Sequence, residues 1–361
     1  MTAMTRLGQW MLICAMATPA LAQKDSVSKR KDRAPKPADS TKVSRFFESE
    51  TPITATLTLN IKQIMHDKGD NAPWRAATLA YVAGDSTRVA VPVRVRTRGI
   101  WRLKTCEFPP LRLNFTSEAV KKTVFHGLDK PKLVNYCRND DQYEEYLLQE
   151  FQLYRVYRVL TPASHAVRLL RLSYVDSASG KPVATRYAFI EEDPDALAAR
   201  MGGKMLKEKG AGPDDYEPFA DALVGVFQYL IGNTDFALNA LHNAELLGLS
   251  NGQYIPVVYD FDFSGAVNAK YATVDPKIRA RTVRERVYRG FCVPAETYPK
   301  VFARFDERRN AIYSLYKDSL GALLKPDVVR ETLKYFDEFY ETIDHPKSAK
   351  SEIVDQCLGK K

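Results

Sequence analysis

Hydrophobic and polar residues alternate through residues 53–64 (ITATLTLNIKQI), the two-residue period of a half-buried strand. Residues 77–83 and 88–98 repeat the alternation around the turn Ala83-Gly84-Asp85-Ser86 and predict two further strands. Leu111-Arg112-Leu113-Asn114-Phe115 alternates again. It follows Pro109-Pro110, which donate no backbone hydrogen bond, so it is expected near a sheet edge. Leu133-Val134 begins another short strand. From Asp140 the period changes. Tyr143, Leu147, Phe151 and Tyr154 share one helical face, and Asp140 or Asp141 can cap a helix running to about Leu160. Strands over 166–175 and 182–190 follow, joined at Ser179-Gly180-Lys181. This first half reads as a mostly antiparallel sheet with one major helix.

The second half is predicted to be helical. Asp193-Pro194 opens a short helix to Met201, and Met201-Gly202-Gly203-Lys204 reads as its end. Residues 217–231 place Phe219, Leu223, Val226, Phe227 and Leu230 on an apolar helix. A polar loop carries Asp235, Asn239 and Asn243, then a strand-turn-strand ends in Asp260-Phe261-Asp262. Residues 296–320 and 326–343 read as two more helices. The cation-rich stretch Lys277–Arg289 is either a solvated helix with Glu285 pairing locally or a dock for an acidic or phosphorylated partner. No repeat of solenoid length is visible. The class is α+β, with a β-rich part over 48–192 and a helical part over 193–361.

Composition places this chain outside the cytoplasm. Arg6, the apolar run Trp10–Ala22 and Ala20-Leu21-Ala22 read as a cleaved export signal over 1–22, so a periplasmic or extracellular product is expected. No segment is long and apolar enough for a transmembrane helix. Residues 23–47 hold many Lys and Arg and few bulky apolar side chains, as a flexible basic tether does. Signal and tether carry much of the formal charge of +9. The remainder is only mildly basic, which does not call for nucleic acid; a monomer is expected. Cys106, Cys137, Cys292 and Cys357 remain after the signal and allow three pairings, of which Cys106–Cys137 with Cys292–Cys357 closes the shortest loops. There is no C-x-x-C, and the five His lie far apart, which argues against structural zinc. A G-x-S-x-G elbow and a dinucleotide-binding glycine pattern are both missing.

The region Gly232–Gly265 carries the chemistry. A carboxylate, an amide and a second carboxylate at a strand end are what phosphoryl transfer needs, one to orient a nucleophile and the others to hold magnesium against phosphates. D-x-x-x-N alone is common in surface loops; the following D-F-D makes it more specific. If strand geometry continued past Asp260, Asp260 and Asp262 would face the same side. Arg94, Arg96 and Arg98 likewise share one strand face, suited to phosphate contact or to stacking on Trp101, or simply solvated.

Several blocks in order over residues 92–265 resemble the spore-coat CotH kinase family, an atypical branch of the protein-kinase-like fold. They are Arg96-Thr97-Arg98-Gly99, Phe108–Leu113, Lys132-Leu133-Val134-Asn135-Tyr136 with its helix, Arg186–Glu191, Gly232-Asn233-Thr234-Asp235 and Asp260-Phe261-Asp262. The resemblance implies a two-lobed protein-kinase-like fold and transfer of the ATP γ-phosphate to a Ser/Thr hydroxyl of a protein substrate. Asp235 would be the catalytic carboxylate. Asn239 or Asn243, with Asp260 and Asp262, would bind Mg²⁺ or Mn²⁺. The family's phosphate-contacting lysine is replaced here by Pro-Pro-Leu-Arg, which leaves Arg112, Lys104 or Lys132 for that role, with Arg98 nearby. A guanidinium is not an equivalent point charge. Glu150, or alternatively Glu145, would pair with that cation. The rival expectations are a catalytically silent kinase-like binding or surface-assembly module, and a carbohydrate- or envelope-binding protein.

Overall fold

The computed structural model describes residues 43–359 apart from 68 and 70. The export signal and most of the tether lie outside the described residues. Every strand expected in the first half forms, the first over a shorter span than 53–64 because Ile61–His66 is helical: β1 Ile53–Leu59, β2 Arg75–Val82, β3 Arg88–Thr97, β4 Leu111–Asn114, β5 Lys132–Val134, β6 Val167–Asp176 and β7 Pro182–Glu191. Their arrangement differs from expectation. They close into a barrel in the order β1-β2-β3-β4-β5-β7-β6, with β6 returning parallel to β1. Among the described residues a separate three-stranded sheet and ten α-helices complete the fold, so the expected two-lobed kinase-like architecture is incorrect. The physical reason is that alternation marks a strand without naming its partner. β1 presents the same period to both neighbours, pairing Leu57 with Leu79 on one side and Tyr174 on the other. Closure removes the open edge of a sheet. β4 is interior too, flanked by β3 and β5.

The barrel interior is built from the alternate positions. Ile53, Ala55, Leu57 and Leu59 of β1 meet Val91, Val93 and Val95 of β3, with Leu111, Leu113, Leu170 and Leu172. Each large side chain fully buried there contributes about 1.5–3 kcal/mol. The tether expected through residue 47 ends earlier. α1 (Arg45–Glu48) buries Phe46 and Phe47 in this core, with Phe46 stacked on Phe125 at 5.7 Å. Short helices α2 (Ile61–His66), α3 (Trp101–Thr105) and α4 (Ser117–Val120) join the strands.

Helix α5 (Asp141–Leu160) is capped by Asp140, whose carboxylate accepts the Gln142 N–H. It is buried almost continuously from Glu145 to Tyr157 rather than on one face. One side meets β6 and β7, the other packs against α8 (Thr297–Ser314), so both stripes are interior. Polar residues that a surface helix would show to water are therefore enclosed. Arg155 is matched by Asp318 at 2.6 Å and Glu50 at 2.9 Å.

The helical half follows as α6 Pro194–Arg200, β8 Gly203–Leu206, α7 Pro218–Ile231, β9 Ala244–Leu249, β10 Tyr254–Val258, α8 Thr297–Ser314, α9 Pro326–Asp344 and α10 Pro346–Glu352. Met201 caps α6 as expected, but Gly202, at φ +70°, turns the chain straight into β8, which joins β9 and β10 in the small sheet. Residues 277–289 form turns rather than a helix. Their cations are held by tertiary partners: the Arg284 and Arg286 guanidiniums lie 4.1 and 3.5 Å from the Tyr335 ring centroid. The disulfides are Cys106–Cys137 and Cys292–Cys357. Among the described residues no helix is long and apolar enough to cross a membrane.

Asp221, in the first turn of α7, is fully buried, and neither carboxylate oxygen has a hydrogen-bond partner. Burial, with the nearby Glu217 charge, pushes its carboxyl up to about 7 from 3.8. The folded protein thus keeps a proton that the unfolded chain releases near pH 4. Stability should fall as pH rises from about 4 to 7 and then level off, by roughly 4 kcal/mol in all. Asp221→Asn is expected to flatten this slope and to unfold at higher urea than the wild type at pH 8. Equal urea midpoints for the two proteins at pH 8 would contradict the assignment.

Candidate functional site: an acidic trio clasped by one arginine

The loop after β10 is shaped by its middle residue. Phe261 is fully buried, with ring centroids 4.7 Å from Tyr154, 5.3 Å from Phe227 and 6.2 Å from Tyr157. This anchor fixes its two acidic neighbours. The strand stops at Val258, and Asp260 takes a left-handed φ of +63°, a conformation that Asp tolerates better than most residues. Its N–H donates to the Tyr154 hydroxyl of α5 at 2.9 Å. Asp260 and Asp262 therefore converge through a turn, and the expectation that strand alternation aligns them is incorrect.

They converge on Glu150 of α5. Glu150, Asp260 and Asp262 each bring one carboxylate oxygen within 4.8 Å of the others. Arg102 of α3 reaches all three, at 2.6 Å from Asp262, 3.3 Å from Glu150 and 3.8 Å from Asp260. Tyr271 donates its hydroxyl to Asp262 at 2.9 Å. Glu150 and Asp262 are buried, while the Asp260 side chain keeps 45 % of its exposure. Burial pulls against the Arg102 charge, but Asp262, Glu150 and Asp260 outweigh it and hold the guanidinium well above its usual value. At Glu150 and Asp262 burial wins, and both carboxyls are pushed up despite Arg102. Three carboxylates and one guanidinium leave two negative charges when all are ionised. A divalent cation has the charge to balance that deficit, and carboxylate oxygens are the donors Mg²⁺ and Mn²⁺ prefer.

A second polar cluster surrounds Asp235. α7 ends at Gly232, left-handed at φ +64°, where an added Cβ would lie 2.0 Å from the Tyr335 hydroxyl. Asn233 is buried and its Oδ1 accepts the Asp235 N–H at 3.0 Å. The Asp235 carboxylate contacts His242 Nε2 at 2.8 Å and accepts from the Asn243 amide at 3.0 Å. Asn243 is itself left-handed, at φ +48°, and its backbone carbonyl accepts the Tyr259 N–H at 3.1 Å. One short hydrogen-bonded path thus links Asp235 to the residue preceding Asp260. Asn239 is exposed, and its carbonyl accepts the Gly210 N–H at 2.7 Å; of the two amides, only Asn243 is joined to Asp235.

The expected cations are placed differently from the reading of the sequence. Lys132 is bound to Glu191 at 2.7 Å and lies 4.1 Å from the Tyr259 ring centroid. Burial would push the Glu191 carboxyl up, but Lys132, His165 and Arg98 hold it low. His165 is fully buried, with Nδ1 2.9 Å from the Glu192 carbonyl and Nε2 3.0 Å from Glu245. Glu150 therefore pairs with Arg102 and not with Lys132, Arg112 or Lys104, which corrects the expected ion pair. Glu145 instead accepts the Lys325 N–H at 2.9 Å. Arg98 donates from Nε to the Leu111 carbonyl at 3.3 Å, and Arg96, rather than stacking on Trp101, stacks on Trp74 at 4.6 Å. Trp101 packs against Phe263 and Tyr271. Sequence reasoning missed Arg102. Its only signal was its place directly after Trp101 in the loop following the Arg-Gly block.

Replacing Arg102 with Gln should leave two buried carboxylates without their counter-charge. The expected loss at pH 7 is about 3–5 kcal/mol by urea unfolding. At pH 5 the loss should shrink, since Glu150 and Asp262 have raised folded values and protonate more readily there. A loss independent of pH would show that packing, not charge, is what Arg102 supplies. Compared with known proteins, the chain matches no family model and no curated protein.

Proposed function

We propose that this protein is a divalent-metal-dependent phosphotransferase that moves the γ-phosphoryl group of ATP to a Ser or Thr hydroxyl of a protein. The observation that carries this reading is the meeting of Glu150, Asp260 and Asp262 around one space, within 4.8 Å of one another. The donor set and its charge deficit suit Mg²⁺ or Mn²⁺, which when bound would neutralise phosphate oxygens. Asp235 is the residue suited to orient the acceptor hydroxyl and hold its proton. His242 and Asn243 fix its carboxylate from two sides, and the side chain remains 40 % exposed. Beside Tyr259 lies a cavity of about 490 Å³, bounded by Leu206, Leu241, Lys207 and Glu245. That volume falls within the range of small-molecule sites and suits the base and sugar of a nucleotide. The short blocks that resemble the CotH family support the same chemistry, independently of the barrel architecture.

One observation favours a second reading, a catalytically silent binding module. Arg102 already supplies the trio with a cation, at 2.6 Å from Asp262. The two readings separate by assay. With Mg²⁺ or Mn²⁺, labelled ATP and Ser/Thr acceptor peptides, transfer is expected. Asp235→Asn should lower it at least about 100-fold with little change in melting temperature. Asp260→Asn should raise the metal concentration needed for half-maximal transfer. No metal-dependent thermal shift with ATP, together with no label transferred, would establish the silent module instead.

A further inference from the structure

We propose that the cavity beside Arg155 and Arg158, past Glu150 on helix α5, binds a small monocarboxylate with a hydrocarbon body. The two arginines stand three residues apart on α5, so they are neighbours on one helix face, where like charges repel. They are answered unequally. Arg155 pairs with Asp318 at 2.6 Å and with Glu50 at 2.9 Å, and the Gln152 side-chain oxygen accepts its Nη1–H at 2.8 Å. Arg158 forms no ion pair among the described residues. The carboxylates that act on it from a distance are Glu192 and Glu50. Glu192 is committed to Arg200 at 2.8 Å, and Glu50 to Arg155. Burial and the Arg200 charge outweigh both and hold the Arg158 guanidinium below its usual value. An arginine still stays charged at pH 7, so the group keeps its demand for an acceptor.

Two donors here lack that acceptor. Arg158 Nη1 and Arg155 Nε are both buried, and neither has a hydrogen-bond partner. The Arg155 side chain is only 5 % exposed, so bulk water does not satisfy it. Both arginines line a cavity of about 160 Å³. Its other walls are mostly apolar: Phe47 from α1, Phe151 and Val159 from α5, Val167 from β6, and Leu315 and Leu320 from the connection between α8 and α9. Glu50 is the one carboxylate among the described lining residues, and its side chain is 68 % exposed and largely solvated. Neither the carboxylate trio nor the Asp235 cluster lines this space. A cavity of about 150 Å³ lined by Leu, Ile and Phe accepts one benzene ring, so there is room here for about six carbons. Water alone suits the space poorly, because a buried water needs two to four polar partners and most of this wall is hydrocarbon. A phosphate would bring more charge and hydration than one unanswered guanidinium and an apolar wall can match. A carboxylate fits the guanidinium fork, carries a single charge and leaves its hydrocarbon body for the apolar wall.

The test uses the full chain without metal or nucleotide, with benzoate as the probe and sodium chloride at matched ionic strength as the control. Benzoate at about 20 mM should raise the melting temperature by about 2–4 °C beyond the control. Benzamide keeps the ring but loses the charge, and acetate keeps the charge but lacks the body; neither should produce the rise. By calorimetry hexanoate should bind at least about tenfold more tightly than acetate, since each buried methylene is worth about fourfold. Arg158→Met keeps an apolar stem and removes the guanidinium. Its unliganded melting temperature should match or exceed that of the wild type, because a buried cation without a partner is gone, and the benzoate shift should disappear. Decanoate binding no more tightly than hexanoate would identify a short acid; at least about fourfold tighter decanoate would identify the end of a longer acyl chain. The proposal is overturned if chloride or benzamide reproduces the shift, if acetate binds as tightly as hexanoate, or if Arg158→Met keeps the shift. The probe series on the wild type decides the matter even where the variant fails to fold. Because neither metal nor transfer enters these readouts, the site stands or fails apart from the phosphotransferase reading.

Discussion

Arg102 is the interaction on which the site depends. It enters from the α3 turn beside the barrel and meets Glu150 of α5 and both acids of the Asp260-Phe261-Asp262 turn. Three parts of the chain are drawn to one guanidinium. The attraction acts where water is largely excluded, so it is less screened than a surface pair, and losing one partner leaves others exposed to the full cost of burial. Phe261 does the complementary apolar work. Its ring fills the space between α5 and α7, and this holds the acids at the position where Arg102 can reach them.

The enclosure of α5 explains why so much charge lies inside. A helix with one wet face leaves its Glu and Arg in solvent. Here the barrel and α8 occupy both sides, so Glu145, Glu150 and Arg155 each require an internal partner. They find them on distant segments: the Lys325 backbone, Arg102 and Asp318. The second buried network, Lys132–Glu191 with His165–Glu245, follows the same rule across β5, β7 and β9. Polar groups thereby set the mutual position of elements that apolar packing alone would hold less specifically. Among the described residues, buried Asp221 and Gln228 depart from this rule, with no hydrogen-bond partner for either Asp221 oxygen or for the Gln228 side-chain amide.

Most elements were legible because their periods are local properties. The strands of the barrel, the Asp140 cap of α5, the Pro194 helix start and the apolar helix over 217–231 all came from neighbours in the chain. β8 was not legible, since four residues after a Gly-Gly turn carry too short a pattern. The helix expected at 277–289 failed because its cations bind Tyr335 instead of spacing themselves along a solvated face. Asp235 with Asn243 was readable as a loop pair, and Glu150 with Asp260 and Asp262 as separate candidates. Their common counter-ion was not, because Arg102 lies 48 residues from Glu150 and 160 from Asp262 along the chain.

By itself the sequence determined which stretches are strands and helices and where most of them begin, and it singled out candidate side chains for a site, since backbone preference and side-chain period act over a few residues. Only the tertiary structure decided that β6 returns to β1 and closes the barrel, that Lys132 belongs to Glu191, and that Arg102 belongs to the acids. Those outcomes depend on which surfaces meet after the chain has folded back on itself, and on the need of each enclosed charge for a partner wherever one comes within reach.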